Sequence, residues 1–151
     1  MRRVVPPLIV LCLGFAPAPV YKAPKAGGEQ FRGTWRQASI EFEGADLTAA
    51  NEPHRLHWVV GADTIAIASK GKQNRGGWSY RIDATRKPAT LDLTPQGGQG
   101  AMLAIYRLEG DRLTVLLQNF PKNGRPKDFG GWSGPGVARH VLERVKSGEV
   151  E

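Results

Sequence analysis

From residue 31 onward the chain reads as short runs of β-forming residues broken by glycine, proline and aspartate. Trp78, Tyr80 and Ile82 alternate with Ser79, Arg81 and Asp83, the period of a strand with one buried face. Ile65 and Ile67 alternate with smaller residues over 64–68, and Leu91 and Leu93 share one side of 89–94. Further strands are predicted over 31–42, around Trp35, Ile40 and Phe42, and over 56–60, 101–108, 112–117 and 137–145. The last of these puts Val137, Arg139, Val141, Glu143 and Val145 on one face, and His140, Leu142 and Arg144 on the other.

The connections carry turn chemistry. Gly61-Ala62-Asp63 and Glu109-Gly110-Asp111 each separate two β-rich runs and predict hairpins. Residues 70–77 form a polar loop, 86–88 and 95–100 are turns, and 119–135 is a long irregular segment rich in Gly, Pro and Lys. No helical period runs longer than about two turns, although 41–50 has room for a short helical turn. This is an all-β pattern of eight or so strands joined mostly by hairpins, and it predicts an up-and-down barrel or a sandwich. A barrel has the advantage of leaving no exposed sheet edge.

Composition narrows the picture. The 151 residues allow one domain with a modest core, and the 19 glycines and 11 prolines suit many turns better than long helices. The formal net charge is +7, but the basic residues are scattered and often stand beside acids, as in 107–112. The two basic groupings, 70–75 and 122–127, are interrupted by Gly, Asn or Pro. A dedicated nucleic-acid binder concentrates its charge into a stripe with stacking aromatics, so no nucleic-acid partner is expected.

The N-terminus has the form of a secretory signal: Met1-Arg2-Arg3, an apolar run over 4–15, then Ala16-Pro17-Ala18. The run is too short for a transmembrane span, which needs about 20 apolar residues. The expected organisation is a signal peptide at 1–18 with the cut between 18 and 23, a flexible lead-in at 19–29, a barrel domain at 30–146 and a tail at 147–151. The product would be exported to the periplasm, cell envelope or exterior. Its one cysteine, Cys12, falls inside the signal, leaving a mature domain without disulfide or thiolate chemistry.

Four motifs occur in order: Phe31-Arg32-Gly33-Thr34-Trp35, the 87–95 segment Lys-Pro-Ala-Thr-Leu-Asp-Leu-Thr-Pro, the 103–115 segment Leu-Ala-Ile-Tyr-Arg-Leu-Glu-Gly-Asp-Arg-Leu-Thr-Val, and Gly124-Arg125-Pro126-Lys127-Asp128-Phe129. Together they resemble a paralogous family of small uncharacterised domains, abundant in planctomycete bacteria and often exported, over roughly residues 30 to 146. The resemblance implies a lipocalin-like antiparallel barrel and no known activity. Gly33-Thr34-Trp35 also resembles the Gly-x-Trp signature of the first lipocalin strand. That resemblance implies that Trp35 closes the barrel floor and that Arg139 or Arg144 from the last strand packs across its ring. The glycine-rich segment 130–136 and the two histidines near Trp58 depart from the family's usual form.

No catalytic, metal-binding or cofactor-binding residues are expected. His54 and His57 stand three apart, but Pro53 and the following strand argue against a helix that would aim both at one metal. They and His140 read as surface or strand-edge histidines. Ser133 has Gly131 two residues before it but Pro135 where a nucleophile elbow needs its second glycine. Glu41 and Glu43 share a strand face as exposed acids beside a turn. Gly97-Gly98-Gln99-Gly100 opens a strand rather than a helix, so it is a turn and not a phosphate cradle. Trp132, among glycines, is a candidate ligand lid or a plug over the core. The reading that results is non-enzymatic binding of a small apolar ligand inside the barrel, lined by Trp58, Trp78, Tyr80, Ile105, Tyr106 and Phe120, with Trp132 as lid. Its alternatives are a cell-envelope module binding protein or acidic polysaccharide, and an unrecognised hydrolase using Ser133 or His57.

Overall fold

The computed structural model describes residues 28–69, 77–130 and 134–146. The expected signal, most of the lead-in, Trp132, Ser133 and the tail lie outside the described residues. Eight strands close an antiparallel barrel in chain order: β1 (Gly33–Phe42), β3 (Leu56–Val60), β4 (Thr64–Ser69), β5 (Gly77–Asp83), β6 (Ala89–Pro95), β7 (Met102–Glu109), β8 (Arg112–Gln118) and β9 (Val137–Arg144). The two-residue β2 (Ala45–Asp46) folds back on the end of β1. Closure comes from β1 pairing with β9, with Trp35 opposite Arg144 and a bulge between Gln37 and Ser39. The fold is therefore all-β, as the alternation predicts, and of the barrel and the sandwich that the pattern allows it is the up-and-down barrel, whose closure leaves no long unpaired edge among the described strands.

Among the described residues, two single α-helical turns and two 3-10 turns (Glu52–His54 and Pro121–Asn123) accompany the strands. One α-helical turn, α2 (Thr48–Asn51), lies in the connection between β1 and β3 and overlaps the 41–50 segment where a short helical turn was expected. The other, α1 (Gly28–Phe31), starts inside the segment expected as a flexible lead-in, and its Gly28 and Phe31 are buried. Phe31 is the reason: its ring is fully enclosed and tilts against Tyr80 and Tyr106 at centroid distances of 5.6 and 5.2 Å. Burying an aromatic ring of this size holds the turn against the barrel end.

Inside the barrel, one residue in two along each strand contributes to a single core: Trp35, Trp58, Val60, Ile65, Tyr80, Leu91, Leu93, Ala104, Tyr106, Leu113, Val115, Leu117 and Leu142 join Phe31. The outer face of β7–β9 is buried as well. Ile105, Leu116 and Val137 form a second apolar cluster covered by Phe129, and Thr114 and Val141 beside them are buried. The cover is the long segment after β8, which crosses the outside of the wall as a strap. Its anchor is Arg125, whose Nη1 donates to the carbonyls of Leu91 (3.1 Å) and Ala104 (2.6 Å) while Nη2 pairs with Asp92. Further ties are Gln118 Nε2 to the Pro135 carbonyl (3.2 Å) and the Gly136 amide to Glu43 Oε1 (2.7 Å).

This arrangement predicts that Arg125→Lys costs about 1–2 kcal/mol, because an ammonium on a flexible stem cannot serve two carbonyls and a carboxylate from one planar fork. Limited proteolysis should then cut within 119–130 well before the barrel unfolds. Cleavage only on global unfolding would show that Arg125 does not hold the strap.

Candidate functional site

The two ends of the barrel differ. At the end where β1 begins, Phe31 fills the opening and Trp35 lies under it, its indole N–H donating to the Phe31 carbonyl (3.0 Å). The Arg144 guanidinium lies 4.1 Å from the centre of the Trp35 ring, donates to the carbonyls of Arg32 (2.7 Å) and Gln30 (2.6 Å), and pairs with Asp111 at 3.2 Å. Gly33 is needed beside it: its φ of +124° belongs to glycine, and a Cβ there would sit 2.7 Å from Arg144 Nη1. Arg139 has the opposite strand parity. It points outward and meets Glu41 at 3.2 Å, so it takes no part in the floor.

The other end carries a ring of half-buried apolar side chains, Leu56, Ile67, Trp78 and Met102, where β3, β4, β5 and β7 approach their outer ends. Beside Trp35 and further toward that ring, the adjacent strands β3, β1 and β9 carry three buried polar side chains. Trp58 is 1% exposed, Gln37 4% and His140 7%, and the Trp58 and His140 rings stand 5.6 Å apart. Trp58 Nε1, Gln37 Oε1 and His140 Nδ1 are buried without a hydrogen-bond partner among the described residues. Each such atom costs about 1–3 kcal/mol when nothing satisfies it. Carried on three adjacent strands, they leave a donor, an acceptor and an imidazole nitrogen unmet in the protein.

The electrostatics of this region are neutral. Burial lowers the His140 pKa from 6.5 to about 4, so its imidazole is uncharged at physiological pH. This corrects the expectation of a surface histidine. His140 alternates inward with Ala138 and Leu142, and closure of β9 on β1 carries that face into the core. His54 is exposed and His57 half-buried, and no group of three His, Cys, Asp or Glu among the described residues is placed to hold a metal. Glu41 and Glu43 are each tied to β9 or its approach, through Arg139 and the Gly136 amide.

The residues expected to line a cavity are divided by the structure. Trp58, Tyr80 and Tyr106 face inward and Trp78 lies at the core margin. Tyr80 is committed to the wall, since its hydroxyl donates to the Gly61 and Ala62 carbonyls at 2.8 and 3.2 Å, and desolvation raises its pKa above 10. Ile105 does not line the interior. It neighbours Tyr106 on one strand, so the two point to opposite faces, and Ile105 packs under the strap. Phe120 also lies outside, 54% exposed, because Gln118 Oε1 caps its amide at 2.9 Å and turns the chain away from the wall. Gln37 and His140 were not read from the sequence as lining residues. The one available signal was their parity with Trp35 and Leu142.

No helix among the described residues is long and apolar enough to cross a membrane. No protein-family model, curated protein or solved structure matches this chain.

Proposed function

We propose that the chain is a non-enzymatic binder which takes a small, mainly apolar molecule with one neutral polar end into the barrel. The observation that carries this reading is the group of three unsatisfied polar atoms on Trp58, Gln37 and His140. Trp58 Nε1 asks for an acceptor, Gln37 Oε1 for a donor, and His140 Nδ1 takes either role according to its tautomer. A hydroxyl, an amide or a protonated carboxyl group meets that demand, and His140, neutral at pH 7, offers no charge to hold an anion. An eight-stranded barrel has an interior that side chains fill or that holds one small ligand. The apolar ring of Leu56, Ile67, Trp78 and Met102 suits the body of such a molecule at the end away from the Phe31 plug. Export, suggested by the N-terminal sequence, would place this binder in the envelope or outside the cell.

Native mass spectrometry of the protein purified gently from its own source tests the reading. The expected result is a one-to-one adduct, released on denaturation, whose retention falls about tenfold in Gln37→Met or Trp58→Phe, the loss of one hydrogen bond to a buried partner. A clean mass without adduct in the parent protein would overturn it, leaving buried water as the partner of these three atoms.

A further inference from the structure

At the floor end a concavity straddles the barrel rim, bounded by the β5–β6 turn, the end of β7 and the strap. It is an open cleft of about 360 Å³, within the range of small-molecule sites. Its floor is apolar, formed by Pro88, Tyr106, Leu108 and Phe129, and its rim carries Arg86, Lys87 and Arg107. No carboxylate is among the described lining residues.

The three cations are available to a ligand. Lys87 has no ion pair or hydrogen bond among the described residues. Arg86 meets Asp83 at 3.4 Å and Arg107 meets Glu109 at 3.2 Å, and all four of these side chains are exposed. Pairs of this kind hold their partners weakly, so either guanidinium can turn to a new anion. Arg107 is also stationed 4.9 Å from the Phe129 ring centre, which places its charge beside the apolar floor.

Tyr106 supplies an independent pointer. Its side chain is 6% exposed, its ring packs on Phe31, and its hydroxyl makes no hydrogen bond among the described residues. Desolvation, with the Asp83 charge adding to it, raises its pKa above 10. At neutral pH it is therefore a protonated donor without a protein acceptor, on a residue that lines the cleft.

We propose that this cleft is a second binding site, separate from the barrel interior, for a small organic anion. Its flat apolar body lies against Pro88, Leu108 and Phe129, and its carboxylate, phosphate or sulfate group is met by Lys87, Arg86 and Arg107. Charge alone would suit an inorganic ion, but the apolar floor gains only from a ligand with a hydrophobic body.

Amide chemical-shift titration of the full chain tests this, with 1-naphthyl phosphate as probe and 1-naphthol and inorganic phosphate as controls. The expected result is saturable shifts clustered at 84–89, 106–108 and 129 with naphthyl phosphate, at least about tenfold weaker in a Lys87→Ala/Arg107→Ala double variant and weakened by added salt. Both substituted side chains are solvent-facing, so the variant should keep the parent spectrum elsewhere. Shifts centred elsewhere, no shifts at millimolar probe, or undiminished binding by the double variant would overturn the site. Equal binding of 1-naphthol or of inorganic phosphate at these amides would overturn the assignment to an organic anion.

Discussion

Replacing Trp35 by alanine should cost about 4 kcal/mol of folding stability, enough to leave a domain of this size close to unfolding at ambient temperature. The indole is fully buried between Phe31, the Trp58 strand and Arg144, and it has no room to be replaced by water. Truncation opens a large cavity at the floor. It also removes the donor to the Phe31 carbonyl and the ring beneath the Arg144 guanidinium. Trp35→Phe keeps an aromatic surface under Arg144 but loses the hydrogen bond and some volume, so a smaller loss of about 2 kcal/mol is expected.

Arg144→Ala should fall between these two variants, since it leaves two carbonyls and one aromatic face without their cation. Residues in contact are coupled, so Trp35→Ala combined with Arg144→Ala should cost less than the two single losses added together. Urea midpoints, with the slope of the transition unchanged, measure all four. Additive losses would show that the floor is not one unit, and a Trp35→Ala variant within 1 kcal/mol of the parent would refute the closing role of this residue.

Acid should destabilise the fold on account of His140 as the pH falls below 6.5. In the unfolded chain this histidine takes up a proton near pH 6.5, whereas in the folded barrel it stays neutral down to about pH 4. A depressed folded pKa means that its contribution is complete above pH 6.5 and is lost as the pH falls toward 4. The loss over that window is on the order of 3 kcal/mol. Asp46 and Asp83 act lower down. The Thr48 hydroxyl and amide hold the Asp46 carboxyl below its usual 3.8, and Thr85 does the same for Asp83, so their contributions disappear only beneath that value.

His140→Leu should therefore flatten the stability profile between pH 6.5 and 4 while leaving the decline below pH 4 in place. The substitution keeps an apolar side chain against Trp58 and removes the imidazole. Stability measured by urea unfolding at half-unit pH steps gives the slope directly. A slope that persists unchanged in the variant would mean that another group carries it.

Much of this architecture is legible in the chain itself, for a physical reason. Alternation with period two, interrupted by Gly-Ala-Asp at 61–63 and Glu-Gly-Asp at 109–111, specifies strands and the tight reversals between them. Strands joined in this way pair with their neighbours in sequence, and eight of them can discard their edges by closing. The glycine that admits Arg144 to Trp35 stands in the Gly33-Thr34-Trp35 motif for the same local reason, a backbone that only glycine adopts easily.

The face that each residue presents was a different matter. Period two states which residues share a side, but it cannot state which side is inward when both are covered. β8 is buried at every position from Leu113 to Gln118, and Ile105 and Tyr106 are both buried on opposite faces of β7. Only the strap, anchored by Arg125 on β6 and β7, makes the outer face of β7–β9 a second core. Only the closure of β1 on β9 carries His140 and Gln37 inward beside Trp58. The residues by themselves determined strands, turns and an all-β fold of barrel or sandwich type, because these follow from local backbone and side-chain preference. The tertiary structure decided the buried polar group, the covered outer face and the cationic cleft, because each is made by segments far apart in the chain meeting at one place.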